Sequence, residues 1–114
     1  MNIHYLEIVC EDVDAQCAAL EALHGVSFGE ARPELGQART AIASDGTMIG
    51  VRGPLAPGDM LITRTYVEVA DIAKAVADAE AAGGMLAYPP TEQGDSGTWA
   101  IYIHGGVQMG LWQK

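Results

Sequence analysis

The sequence predicts an α+β domain built from two tandem βαβββ modules. Three observations predict it. Two helix-like stretches each follow a strand-like stretch. The two halves align with each other at offsets of 59 to 61 residues. Turn signals cut the rest of each half into short strands. With 114 residues, 1–114 fits a single domain.

In the first module, Tyr5-Leu6-Glu7-Ile8 alternates apolar and polar side chains, as a half-buried strand does. A helix follows, with Asp12 as its N-cap and its end before Gly25. Val13, Cys17, Leu20 and Leu23 are placed on its buried face. Further strands are predicted near 26–31, 37–43 and 47–52, separated by Arg32-Pro33-Glu34 and Ser44-Asp45-Gly46. A Pro/Gly-containing linker, 53–60, ends the first module, 1–52, and leads into the second, 61–114.

The second module repeats the pattern. Tyr66-Val67-Glu68-Val69 is its first strand. Its helix starts at Asp71, ends before Gly83-Gly84, and spaces Ile72, Ala75, Val76, Ala79 and Ala82 helically. Strands are predicted near 85–88, 98–103 and 107–112, with turns at Pro89-Pro90 and Gly105-Gly106. The polar stretch 91–97 reads as a mobile loop.

The repeat is specific. Residues 46–51 (GTMIGV) align with 106–111 (GVQMGL) at an offset of 60, and Asp12, Glu21 and Gly25 align with Asp71, Glu80 and Gly84 at 59. The first strands align at 61. A period of that length is too long for a solenoid and implies a duplicated module.

Charge excludes some partners. Six Lys+Arg against fifteen Asp+Glu give a net charge of −9. A nucleic-acid binder needs a basic face, and so does docking on anionic membranes. No apolar stretch approaches the ~18 residues of a membrane span. Met1-Asn2-Ile3-His4 begins no signal peptide, so a soluble, cytoplasmic protein is expected. Cys10 and Cys17 read as reduced, buried thiols rather than a disulfide or zinc site.

Strand parity assigns a polar face. Leu6, Ile8, Val67 and Val69 point to the helices, so Tyr5, Glu7, Arg64, Tyr66 and Glu68 point away. Met48, Gly50 and Arg52 join them from one closing strand, and Gln108, Gly110 and Trp112 from the other. The glycines leave room for an organic ligand or for aromatic neighbours. Tyr66 and Trp112 offer flat walls, and Arg64 offers a bidentate clamp for an anion. Glu7 and Glu68 are candidate general bases, and Tyr5 is a candidate donor to an oxyanion. Gln108 completes the ligand-binding set. Equally, Arg64 can pair with Glu7 or Glu68 and do no chemistry. Trp99 reads as core, and Arg39 and Arg52 read as surface cations.

Three passages resemble the vicinal oxygen chelate superfamily of glyoxalase I, bleomycin-resistance proteins and extradiol dioxygenases. One is Tyr66-Val67-Glu68-Val69-Ala70-Asp71-Ile72, running into Ala79-Glu80-Ala81-Ala82-Gly83-Gly84. The others are Pro89-Pro90-Thr91 and Gly106-Val107-Gln108-Met109-Gly110-Leu111-Trp112. The Gly-Leu-Trp ending is similar to a subgroup of short bacterial glyoxalase-like members. The resemblance implies a curved, cup-like mixed sheet with the helices outside. It places metal ligands, usually His and Glu, near Tyr5 (or Glu7), Gly50, Arg64 (or Tyr66) and Gly110. This chain departs from that pattern, because glycine has no donor and arginine repels a cation. Among the histidines, His4 has the parity of the helix-facing residues, His24 ends a helix, and His104 borders a turn. No metal site and no cofactor are therefore expected.

The resemblance implies a protein that binds a small organic molecule in the cup between the modules, in the manner of sequestration of a toxic or antibiotic-like compound. The alternative is an enzyme, either a metal-independent isomerase or lyase with a Glu base, or a metal-dependent glyoxalase or dioxygenase. A third class is a module for protein association. A homodimer is the expected assembly.

Overall fold

Strand β1 (Asn2–Val9) leads into helix α1 (Val13–His24), then β2 (Ala31–Arg32), β3 (Ala38–Ile42) and β4 (Met48–Arg52). The second half runs β5 (Thr63–Glu68), α2 (Ile72–Ala81), β6 (Met85–Glu92), β7 (Thr98–His104) and β8 (Val107–Gln113). The structure, a computed structural model, describes all 114 residues and has the expected α+β content of eight strands and two helices. The chain divides into an N-terminal unit, Tyr5–Thr63, and a C-terminal unit made of Met1–His4 and Arg64–Lys114.

The N-terminal unit has the strand order β2-β3-β4-β1. β1 runs parallel to β4, with Glu7 opposite Gly50, while β3 is antiparallel to both neighbours. Helix α1 makes that parallel connection possible. It is capped by Asp12, which accepts from Ala15 N at 3.0 Å, and it stops at Gly25 in the left-handed region. Cys17 is fully buried among Phe28, Ala41, Ile49 and Val51, with Val13 and Leu20 beside it. Leu23, expected on the same face, is 74% exposed. At about 100° per residue it has rotated off the stripe that Val13, Cys17 and Leu20 share.

The strand expected at 26–31 is only Ala31–Arg32. The Glu21 carboxylate accepts the Phe28 N–H at 2.9 Å, which holds this stretch to α1 and spends a donor that a ladder would need. Both cysteines are free thiols, and burial pushes both upward from the usual thiol range.

The C-terminal unit repeats the plan in the order β5-β8-β7-β6. β5 is parallel to β8, with Tyr66 opposite Gly110, and β7 is antiparallel to β8 and β6. Asp71 caps α2 by accepting from Lys74 N at 3.1 Å. Ile72 and Val76 pack on Ala100 and Leu111. Pro89 and Pro90, expected as a turn, lie inside β6. β6 ends the strand order, and an edge strand tolerates a missing N–H. The register slips between Leu86 and Tyr88 and again across the two prolines, between Tyr88 and Thr91. Of the polar stretch 91–97, Thr91 and Glu92 belong to the strand and Gly94–Ser96 forms a single 3-10 turn.

Candidate functional site

In each unit one sheet face packs on the helix and the other carries the residues singled out by parity. In the N-terminal unit, Tyr5 is 3% exposed and its ring lies over Gly50. A Cβ on Gly50 would stand 2.5 Å from Tyr5 Cζ and 2.8 Å from Cε1, and nearer still to the hydroxyl. The ring fills the space that a side chain at position 50 would need.

Glu7 and Arg52 are buried on this same face. Arg52 Nε donates to Glu7 Oε2 at 2.9 Å, and its Nη1 donates to Asp59 Oδ2 at 2.9 Å and to the Gly53 carbonyl at 3.1 Å. Asp59 Oδ2 also accepts from Leu55 N at 3.0 Å, which ties the linker to the end of β4. Burial pulls the Arg52 guanidinium down, but the bonds it donates to Asp59 and Glu7 outweigh burial and raise its pKa. The reading of Arg52 as a surface cation is thus corrected: its parity with Gly50 turns it to the interior, where two carboxylates compensate it. Arg39 does lie at the surface, paired with Asp14 at 2.9 Å.

In the C-terminal unit the same ring-over-glycine arrangement recurs. A Cβ on Gly110 would stand 2.5 Å from Tyr66 Cδ2 and 2.7 Å from Cγ. Tyr66 and Trp112 are buried and meet edge to face, with centroids 5.7 Å apart. Arg64 is buried as well, and its Nε and Nη2 both donate to Gln108 Oε1, the former at 3.0 Å. Glu68 is not buried: its carboxylate stands 3.5 Å from Lys114 Nζ with the side chain 30% exposed.

Arg64, Tyr66, Gln108 and Trp112 are therefore brought onto one face of one unit, with Glu68 near its margin. Trp99 joins them. It lies directly across from Trp112 in the β7–β8 register and packs edge to face on Tyr66 at 6.5 Å. Tyr88, beyond it, is 6.0 Å from Trp99 and largely exposed. The two indole N–H groups donate to Gln93 Oε1 and to the Ser96 carbonyl, both at 2.8 Å.

The metal that the resemblance implies does not fit these residues. Two of its four positions are glycines whose side-chain space the Tyr5 and Tyr66 rings fill. Another is the cationic Arg64 or the ring of Tyr66. No three His, Cys, Asp or Glu side chains gather into a ligand set. The histidines lie elsewhere. His4 packs on Trp112, with ring centroids 5.1 Å apart, within the C-terminal unit. Burial, helped by Lys114, lowers its pKa. His24 is exposed in the last turn of α1, and His104 Nε2 is 3.2 Å from the Ala82 carbonyl.

Sequence reasoning read Trp99 as core, took Arg52 for a surface cation although parity put it on the polar face, and passed over Asp59. Trp99 had a usable signal: it lies as many residues before the Gly105-Gly106 turn as Trp112 lies after it. Arg52 had its parity. Asp59 had none, since a linker carries no periodicity.

No protein-family model and no curated protein sequence matches the chain. Solved structures do match its fold. A variant of Streptomyces coelicolor methylmalonyl-CoA epimerase, in complex with 2-nitronate-propionyl-CoA, is 18% identical with a TM-score of 0.71, covering 100% of this chain and 97% of that one. Methylmalonyl-CoA epimerase from Mycobacterium tuberculosis is 15% identical with a TM-score of 0.74, covering 97% and 86%. A hypothetical protein from Bacillus halodurans C-125 is 14% identical with a TM-score of 0.75, covering 99% and 94%. At such identities the likeness is one of fold.

Proposed function

We propose that the chain is a glyoxalase-like member of the vicinal oxygen chelate superfamily that binds a small organic molecule without a catalytic metal. The observation that carries this reading is the pair of glycines, Gly50 and Gly110, each beneath a tyrosine ring. A tyrosine seated there removes a metal position and adds an aromatic wall. The epimerase-like folds support the superfamily, and one of them holds an acyl-CoA analogue. In the C-terminal unit we assign Arg64 and Gln108 as polar anchors and Tyr66 and Trp112 as walls. In the N-terminal unit Tyr5 is assigned the matching aromatic role.

The enzymatic alternative would draw its base from Glu7 or Glu68. Glu7 Oε2 is already engaged by Arg52, and Glu68 stands partly exposed beside Lys114. Binding is the reading the geometry favours.

Thermal shift tests it. Aromatic carboxylates, acyl-CoA thioesters and cationic aromatic drugs are titrated separately, and divalent metals in parallel. A ligand at 100 times its Kd stabilises the native state by about 2.7 kcal/mol, which raises Tm by about 10 °C in a domain of this size. We expect one organic class to do so, the shift to fall in Arg64→Gln, and the metals to give none. A shift with metals alone would overturn the proposal.

A further inference from the structure

Both tryptophans of the chain donate their indole N–H to one short loop. That loop, residues 93–97, closes on itself: Gln93 N donates to the Gly97 carbonyl at 2.8 Å, and Ser96 N to the Gln93 carbonyl at 3.0 Å. Its sequence, Gln-Gly-Asp-Ser-Gly, holds no apolar side chain, so burial of hydrocarbon does not anchor it. Polar contacts and close fit hold it instead.

The fit is tight at Gly97. Its φ of 119° and ψ of −157° lie in a region essentially restricted to glycine. A Cβ there would stand 2.8 Å from Trp112 Nε1 and collide with the Gln113 carbonyl. The loop backbone therefore rests directly on Trp112, which is 2% exposed. Gly94, with φ +57°, flanks the other side of the turn, while Gly94 and Asp95 point to solvent. Glycines at both ends of the turn can absorb the dihedral changes of a hinge.

We propose that residues 93–97 are a strap, latched by the two indole N–H groups, that lifts to admit a ligand onto the Tyr66, Trp99 and Trp112 face. The inference rests on the binding reading above and deepens it. Lifting the strap deprives both indoles of their acceptors. An indole N–H that is covered again by ligand needs a new acceptor. The strap thus selects a flat ligand that carries carbonyl or carboxylate oxygens, able to stack on the rings and take the place of Gln93 Oε1 and the Ser96 carbonyl.

The experiment uses the full chain and begins without ligand. Hydrogen exchange should show the Trp99 and Trp112 indole N–H groups, which the strap covers, exchanging well before the amides of Ala100 and Leu111 in the core. Gln93→Leu keeps the volume and removes one latch. A lost neutral hydrogen bond raises the open population about fivefold, so exchange of the Trp112 indole N–H should quicken by that factor. Tryptophan quenching by acrylamide should rise with it. Equal exchange of the indoles and the core amides in the wild type would overturn the strap, whether or not the variant folds. Unchanged Trp112 indole exchange in a folded Gln93→Leu would overturn the latch.

The second stage uses 2-naphthoate. Its association rate should rise with the open fraction, again about fivefold in Gln93→Leu. Binding at an unchanged rate would overturn the gating role. If the strap opens as described but no organic class binds, the proposed function fails and the selection of ligand fails with it, while the motion stands.

Discussion

Arg52 reaches two carboxylates from the end of β4, and the three groups hold the linker against the N-terminal unit. A buried ion pair adds little net stability, but breaking one side leaves an uncompensated charge. Arg52→Met should cost about 3–5 kcal/mol in urea unfolding, because Glu7 and Asp59 then lose the guanidinium they share. The double variant Arg52→Met, Glu7→Gln should recover most of that loss. If the double variant is as unstable as the single one, the network acts through packing rather than charge. The ring-over-glycine pairs are tested in the same way. Gly50→Ala pushes a methyl into the Tyr5 ring and should cost about 1–3 kcal/mol. Combined with Tyr5→Leu the loss should fall well short of the sum of the singles, and simple additivity would refute the contact.

The elements were legible where local chemistry decides them. Asp12 and Asp71 announce both helix starts, and their carboxylates do cap Ala15 N and Lys74 N. Replacing either with alanine should lower stability by about 1 kcal/mol, read from the urea midpoint at unchanged m. A loss at one cap only would show that the two helices are not equivalent devices. The elements were illegible where a tertiary partner intervenes. Glu21 captures the Phe28 N–H and reduces a six-residue strand expectation to two residues. Pro89 and Pro90 read as a turn because a proline cannot serve a central strand, yet the edge position of β6 removes that objection. Neither the capture nor the edge is visible in a one-dimensional pattern.

For the whole molecule, the duplication carried the fold class, and the structures that match it span nearly the full chain at 14–18% identity. Strand parity placed Tyr5 with Gly50 and Tyr66 with Gly110 on the helix-free faces, because the period of two leaves little freedom. The partners of the long side chains were not legible. Arg64 meets Gln108 and Arg52 meets Asp59 through rotamers that span several ångströms, and no spacing rule covers them. The proposed function has the chain without the metal positions that the resemblance implies and with an organic ligand in their place. Metal content of the native protein, purified without chelator and without an affinity tag, is the sharpest check on it. No stoichiometric zinc, iron, manganese or nickel is expected. One equivalent of any of them per chain would overturn the proposal, since the glycines under Tyr5 and Tyr66 have no donor to offer.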